Sequence, residues 1–187
     1  MKKIVLIRHG ITCGNLEKRY IGCRTDQPLC DDGKAALMQK KYPDCDLLFC
    51  SPMRRCLQTA EIIYPGKEPI IIPDLRECDF GDFEGKNHSE LDGGEYYQRW
   101  IDSGGLLPFP NGETTEGFKK RCTESFLECV NLYEFNCAAF VVHGGTIMAI
   151  MEELALPKKT YYEYYVENGG GYLIDFECGK FEFFSEF

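Results

Sequence analysis

Apolar and polar positions along this chain fall into short blocks that switch between two periods. Residues 4–8 (IVLIR) open with an unbroken apolar run, as expected of a strand covered on both faces. Residues 31–42 predict a helix, with acidic residues at its start and lysines near its end, as the helix dipole prefers. Residues 46–50 predict a second strand. Residues 53–64 predict a helix opened by Ser51 as N-cap and Pro52 at the first helical position. Residues 69–72 predict a third strand. The polar, glycine-punctuated stretch 77–94 predicts mainly loop, and 96–103 a helix cut off by GGLLPFPNGE. The clearest helix spans 114–133, where Phe118, Cys122, Phe126, Cys129, Val130 and Tyr133 recur at three- and four-residue spacing. A strand at 138–142 and a helix at 146–154 follow. Strands 171–177 and 180–186 close the chain, joined by a tight turn at Cys178 and Gly179.

Strands alternating with helices predict an α/β fold: a three-layer α/β/α sandwich around a mostly parallel central sheet. The 187 residues contain no repeat and no linker, so one domain spanning 1–187 is expected. Sheets of this kind bind ligands at the carboxyl ends of their strands. Two strands here end alike, in IVLIRHG and in AFVVHGG. The chain has three histidines, and His9 and His143 occupy these two junctions. His88 lies in the polar stretch and reads as a surface residue.

A neutral imidazole is a good nucleophile toward phosphorus and forms covalent intermediates. Fixed guanidiniums such as Arg8 and Arg55 suit the oxygens of a phosphoryl group in flight. Glycine after each histidine lets backbone approach an anion, and a helix starting at Gly144 would offer free N–H groups. A leaving alcohol also needs a proton donor. The segment LRECDFGDFEG offers Glu77, Asp79, Asp82 and Glu84, and spacing alone does not choose among them.

Charge narrows the function classes. The net charge of −9 disfavours non-specific binding to nucleic acid or anionic membranes. Residues 1–55 nevertheless hold 11 Lys+Arg against 6 Asp+Glu, a local surplus that suits an anion site around Arg8 and His9. No apolar run approaches the roughly 18 residues of a membrane span. The N-terminal apolar stretch falls short of the ~7–15 residues of a signal-peptide core. Eleven cysteines, an odd number without a CxxC pair, read as reduced thiols of a cytoplasmic protein rather than a metal site.

The motifs together resemble the histidine phosphatase superfamily, the phosphoglycerate-mutase-like group. IRHGITCGN resembles its Arg-His-Gly-x-Thr-x-x-Asn signature, and SPMRRCLQTAEII its second arginine segment. LRECDFGDFEG resembles its acid segment, FPNGETTEGF a following loop and helix start, and VVHGGTI its second histidine. The five matches stand in family order from Arg8 to Ile147. The resemblance implies that His9 becomes phosphohistidine and that Arg8, Asn15, Arg55 and His143 hold the phosphoryl oxygens. Thr12 would assist through its side chain and Gly144 through its N–H. Glu77 would be the general acid and later the base for water. Arg24 aligns with a stretch near the substrate entrance, and Glu113 would orient Arg55 or another group. Arg54, next to Arg55 on a helix, must face elsewhere and reads as a solvated charge. The chain departs from the family pattern at Ile11, at Gly14 and at Cys30, which stands where a hydroxyl usually caps the next helix.

The short acid segment resembles the small phosphatase branch, which includes the alpha-ribazole phosphatases. The expected function is a metal-independent phosphomonoester hydrolase, without cofactor, acting on a small phosphorylated metabolite. A phosphoglycerate-mutase-type transferase and a non-catalytic phosphate-binding regulator are the alternatives. A homodimer formed by edge pairing is compatible with the pattern, and loops 19–28 and 87–112 are expected to build the leaving-group pocket. The segment 160–171, TYYEYYVENGGG, reads as packing and loop, with a wall of the leaving-group pocket as the alternative, and its end, 168–171, reads as a turn, since it lacks the lysine and helix of a P-loop.

Overall fold

The computed structural model describes residues 1–187, the side chain of Phe183 excepted. Six strands, β1 (Lys2–Arg8), β2 (Leu47–Cys50), β3 (Ile70–Ile71), β4 (Cys137–Val142), β5 (Gly171–Glu177) and β6 (Lys180–Glu186), form one sheet in the order β3-β2-β4-β1-β5-β6. The β1–β4, β2–β4 and β2–β3 pairs are parallel, while β5 runs antiparallel to both β1 and β6. The sheet is thus mixed and mostly parallel, with an antiparallel hairpin at one edge. Cys178 and Gly179 turn that hairpin with φ of 49° and 79°, the left-handed pair that a two-residue connection demands.

Seven helices cover the sheet: α1 (Cys13–Leu16), α2 (Asp31–Met38), α3 (Arg54–Ile63), α4 (His88–Leu91), α5 (Glu95–Asp102), α6 (Thr115–Leu132) and α7 (Gly144–Leu154). The apolar run of β1 divides between two cores. Ile4 and Leu6 pack with Phe126, Phe140 and Ile150 on one face, and Val5 and Ile7 with Cys56, Ala60 and Val141 on the other. That alternation is the period of two expected of a strand buried on both sides.

Two local expectations are corrected. Helix α2 stops at Met38, not at 42: Pro43 disfavours helical backbone at Tyr42, and the Lys40 ammonium and Tyr42 hydroxyl instead donate to Gly169 O. Ser51 does not cap α3; the cap position is Met53, without a side-chain bond, and the Ser51 hydroxyl is engaged elsewhere. The stretch 77–94 is mainly loop, as expected, with a 3-10 turn (Gly81–Phe83) and the short helix α4, whose start carries a capping box between Asn87 and Glu90. Cys30 does cap α2, its thiol accepting from Gly33 N–H at 3.3 Å.

Candidate active site

Strands β1 and β4 are adjacent, parallel and in register, Arg8 opposite Val142. The residues that follow them must emerge side by side. His9 N–H donates to Val142 O at 2.9 Å, and the His9 and His143 rings stand edge to face with centroids 5.2 Å apart.

His9 Nδ1 lies 2.7 Å from Gly10 O. A carbonyl only accepts, so Nδ1 carries the proton and Nε2 keeps its lone pair. Burial, aided by Arg55 and Arg8, holds the His9 pKa well below 6.5 despite the opposing pull of the Gly10 carbonyl. His143 is fully buried. Its Nδ1 accepts from Arg55 Nε at 3.3 Å, so its Nε2 donates to Ser51 Oγ at 2.7 Å. Burial and then Arg55, with His9 and Arg8 adding, lower its pKa as well. Both rings are therefore neutral, and His143 donates to Ser51 rather than into the site.

Helix α3 buries Arg55 and exposes Arg54, as adjacent helical positions require. Arg55 is 0% exposed and is held by backbone carbonyls, Nη1 to Thr25 O at 2.8 Å and Nη2 to Gly22 O at 3.0 Å. Arg8 donates from Nη1 to Val166 O at 2.8 Å and lies over the Tyr165 ring, while its buried Nε has no partner. Among the described residues, no carboxylate forms an ion pair with Arg8 or Arg55. A buried guanidinium without a counter-ion is costly, and an anion is what would offset that cost.

Glu77 is 7% exposed. Its two oxygens accept from Cys78 N–H at 2.9 Å and from Gly145 N–H, in the first turn of α7, at 3.1 Å. Burial raises its pKa, outweighing the opposing pull of those N–H groups and of Arg55 and Arg8. Its segment is clamped from behind by Arg121, which grips Glu113 through Nε and Nη2 at 2.8 Å each and donates from Nη1 to Asp74 O and Arg76 O. Glu113 in turn accepts from Asp79 N–H. Glu113 thus positions the acid segment and does not touch Arg55.

Asn15 sits in α1 with its Oδ1 facing three donors: Thr12 N–H, Thr12 Oγ1 and Asn168 Nδ2, at 3.1, 3.1 and 3.2 Å. Its oxygen committed, the amide leaves Nδ2 to donate into the cavity that Asn15 lines. Thr12 is corrected: it is fully buried, and its hydroxyl serves the cap of α1, so it supports the site only through Asn15. Arg24 is corrected too. It pairs with Asp79 through two nitrogens, at 2.7 and 3.0 Å, also donates to Asn111 O, and lies outside the cavity. Sequence reasoning missed Ser51 as the partner of His143. It also missed Asn168, whose amide binds His9 O at 3.0 Å as well as Asn15. His88 is exposed and bonds Tyr97.

The cavity, about 440 Å³, has Arg8, His9, Asn15, Glu77 and Gly144 at one end and Tyr20, Phe80, Trp100, Phe109, Tyr161 and Tyr162 around the rest. Tyr161, Tyr162 and Tyr165 form part of its wall, the alternative reading of 160–171, while Tyr164 packs in the core. No helix is long and apolar enough to cross a membrane, and among the described residues no disulfide forms.

A family model described as the histidine phosphatase superfamily (branch 1) matches residues 4–185. A Hydrogenobacter thermophilus protein named, provisionally, phosphoserine phosphatase 2 is 33% identical over 81% of this chain and 77% of its own length. The adenosylcobalamin/alpha-ribazole phosphatase of Salmonella typhimurium is 28% identical over 92% of this chain and 90% of its own. Among solved structures, a phosphoserine phosphatase mutant from Entamoeba histolytica, in complex with phosphoserine, superposes with a TM-score of 0.83 at 28% identity, covering 98% of this chain and 96% of that one.

Proposed function

Because the chain belongs to the histidine phosphatase superfamily, we propose that His9, Arg8, Arg55, Glu77 and His143 carry out phosphomonoester hydrolysis through a phosphohistidine. The observation that supports this most is the fully buried, carboxylate-free Arg55 beside a histidine held in the tautomer with a free Nε2. In the first step His9 Nε2 attacks phosphorus, the N–P bond forms and the P–O bond to the alcohol breaks. Glu77, whose burial favours the protonated form, gives its proton to the departing oxygen. In the second step the Glu77 carboxylate takes a proton from water, whose oxygen attacks phosphorus and releases His9. Arg8, Asn15 and Arg55 bear on the phosphoryl oxygens, with the Gly144 N–H at the start of α7. His143 steadies Arg55 by accepting from its Nε, and burial together with the neighbouring cations keeps the ring neutral for that role.

The rest of the reading extends this. The chain acts as one catalytic domain on small phosphomonoesters, without nucleic acid, in a reducing cytoplasm that keeps its thiols free. The names of the relatives bracket the first substrates to try, alpha-ribazole phosphate and phosphoserine. The test is phosphate release from a panel of esters in EDTA, with His9→Ala as control, and trapping of acid-labile, base-stable phosphate on the protein. We expect hydrolysis in EDTA and loss of both signals in the variant. Turnover by His9→Ala equal to wild type would overturn the mechanism. Isomerised phosphoglycerate without phosphate release would replace it with a mutase.

A further inference from the structure

Resting on that phosphatase reading, we propose that Thr59 is a positioning residue for His9: its hydroxyl fixes the His9–Gly10 peptide, and through it the turn that keeps the His9 proton on Nδ1 and the Nε2 lone pair free to attack. Thr59 stands in α3 one helical turn after Arg55 and is fully buried. Its hydroxyl makes two bonds, and the chemistry of the partners sets their direction. Arg55 O, 2.7 Å away, can only accept, so it takes the single hydroxyl proton. Gly10 N–H, 2.9 Å away, can only donate, so it meets the oxygen's lone pair. A threonine hydroxyl bonded to the carbonyl four residues back is ordinary helix chemistry. The second bond is not, since it reaches 49 residues back to the peptide that follows the nucleophile.

Gly10 explains why the turn needs such a hold. The position has to be bare, because a Cβ there would stand 2.8 Å from Leu37 Cδ1 and 3.2 Å from Leu29 Cδ2. A glycine backbone swings freely unless hydrogen bonds restrain it. The Gly10 carbonyl must nevertheless stay aimed at His9 Nδ1, 2.7 Å away, because that contact selects the tautomer. The peptide before it is gripped at both ends. Its oxygen, His9 O, accepts from Asn168 Nδ2 at 3.0 Å and from Gly169 N–H at 3.2 Å. Its N–H has Thr59 as its one acceptor among the described residues. Without that hydroxyl a buried N–H is left unpaired, and the peptide relieves the cost by rotating. Rotation carries the Gly10 carbonyl away from Nδ1 and lets the ring proton move to Nε2. The bond to Arg55 O completes the device, since it ties the nucleophile's turn and the backbone of the phosphate-holding arginine to one oxygen.

The test sets Thr59→Val, which keeps the branched shape without the hydroxyl, beside Thr59→Ser, which keeps the hydroxyl. The first readout needs no turnover. Nitrogen NMR of protein isotope-labelled at its histidines tells a protonated ring nitrogen from a bare one, and comparison with His9→Ala identifies the His9 signals. The proton is expected on Nδ1 in wild type and in Thr59→Ser, and the His9 population should move toward Nε2–H in Thr59→Val. Nε2–H in wild type, or a wild-type His9 spectrum in Thr59→Val, would overturn the proposal even if every ester proved inert, a result that would by itself sink only the phosphatase reading. The second readout is kinetic. In Thr59→Val, kcat/KM should fall about 10- to 100-fold, the scale of a misplaced reacting group, and Thr59→Ser should restore it. Affinity for inorganic phosphate, which Arg8 and Arg55 hold in the proposed site, should stay close to wild type in both. Serine as impaired as valine would assign the effect to packing of the methyl group, and phosphate affinity lost in step with kcat/KM would assign it to Arg55; either result overturns the proposal. Should the valine variant not fold, Thr59→Cys, whose thiol is a weaker acceptor, takes its place, and a wild-type His9 spectrum with wild-type kcat/KM there overturns the proposal as well.

Discussion

Replacing Glu77 by glutamine tests the acid role at a single pair of atoms. Glutamine fills the same volume but has no proton to transfer. Loss of a positioned general acid costs about 10²–10⁴-fold in rate where the leaving group needs protonation. The loss should therefore depend on the ester. For an alkyl phosphate, kcat/KM should fall by about that factor. For p-nitrophenyl phosphate, whose leaving group departs as a stable anion, kcat/KM should fall far less. The second step uses Glu77 as base for either ester, so kcat should fall for both. The variant should then release a burst of nitrophenolate equal to the enzyme concentration, followed by slow turnover as phosphohistidine accumulates.

Structure also sets the side effect of this substitution. Both Glu77 oxygens accept backbone N–H groups, from Cys78 and Gly145. A glutamine amide accepts through one atom only, so one buried N–H is left without a partner, at a cost of about 1–3 kcal/mol. For a chain of this size that lowers the melting temperature by about 2–4 °C per kcal/mol. Steady-state kinetics on the two esters, stopped-flow nitrophenolate release and a melting curve form the assay. Equal losses of kcat/KM on both esters would refute proton donation and leave Glu77 only a structural part.

Ser51→Ala removes the acceptor for His143 Nε2, leaving the Cys56 thiol 3.5 Å away as a weak substitute; kcat/KM should fall about 10-fold or more along with about 1–3 kcal/mol of stability. Lost stability with intact kinetics would assign Ser51 to the helix start instead. Asn168→Ala frees the Asn15 amide to rotate and releases His9 O, so kcat should fall while the melting temperature drops by a few degrees, about 2–4 °C per kcal/mol; unchanged kcat would show that Asn168 only closes the turn. His9 and His143 are held neutral in the fold, their pKa values depressed below 6.5, so the unfolded chain binds more protons than the folded one at acid pH. Stability should be fully present above that value and fall as pH drops below it, read as melting temperature against pH; a flat profile from pH 7 to 5 would refute the neutral assignment.

The strands and main helices were readable because their signals are local: a continuous apolar run for a strand covered twice, and three- and four-residue spacing for α6. The two histidines were readable for the same reason, since strand ends can be found in the sequence and parallel neighbours bring them together. Ser51 shows where such reading fails. The Ser-Pro pair is a good helix-start signal, yet His143, 92 residues away, captures the hydroxyl. Asn168 looked like turn chemistry because its partners at His9 and Asn15 lie more than 150 residues back. Thr12 fell the other way: the family motif suggested a phosphate contact, and the local capping box claimed its hydroxyl. The cavity wall was legible only in part: loops 19–28 and 87–112 supply Tyr20, Trp100 and Phe109 as expected, but these aromatics share no period with one another or with Phe80, and they converge only when the loops fold over the sheet.

The contrast between two kinds of arginine explains how one small site can be both stable and receptive. Arg121 and Glu113 neutralise each other at 2.8 Å, and the pair serves as a clamp for the acid segment. Arg8 and Arg55 are fixed with comparable geometry, but by carbonyls of Val166, Thr25 and Gly22, whose dipoles orient a guanidinium without cancelling its charge. The positive field therefore persists until a phosphoryl group supplies the counter-charge. That field now pulls the Glu77 pKa down against burial. In the proposed reaction, an arriving phosphate dianion offsets the field and leaves burial less opposed, so the Glu77 pKa rises further just when a proton must be held for the alcohol. Once the alcohol leaves with that proton, Glu77 is a carboxylate beside phosphohistidine, charged as the attack of water requires.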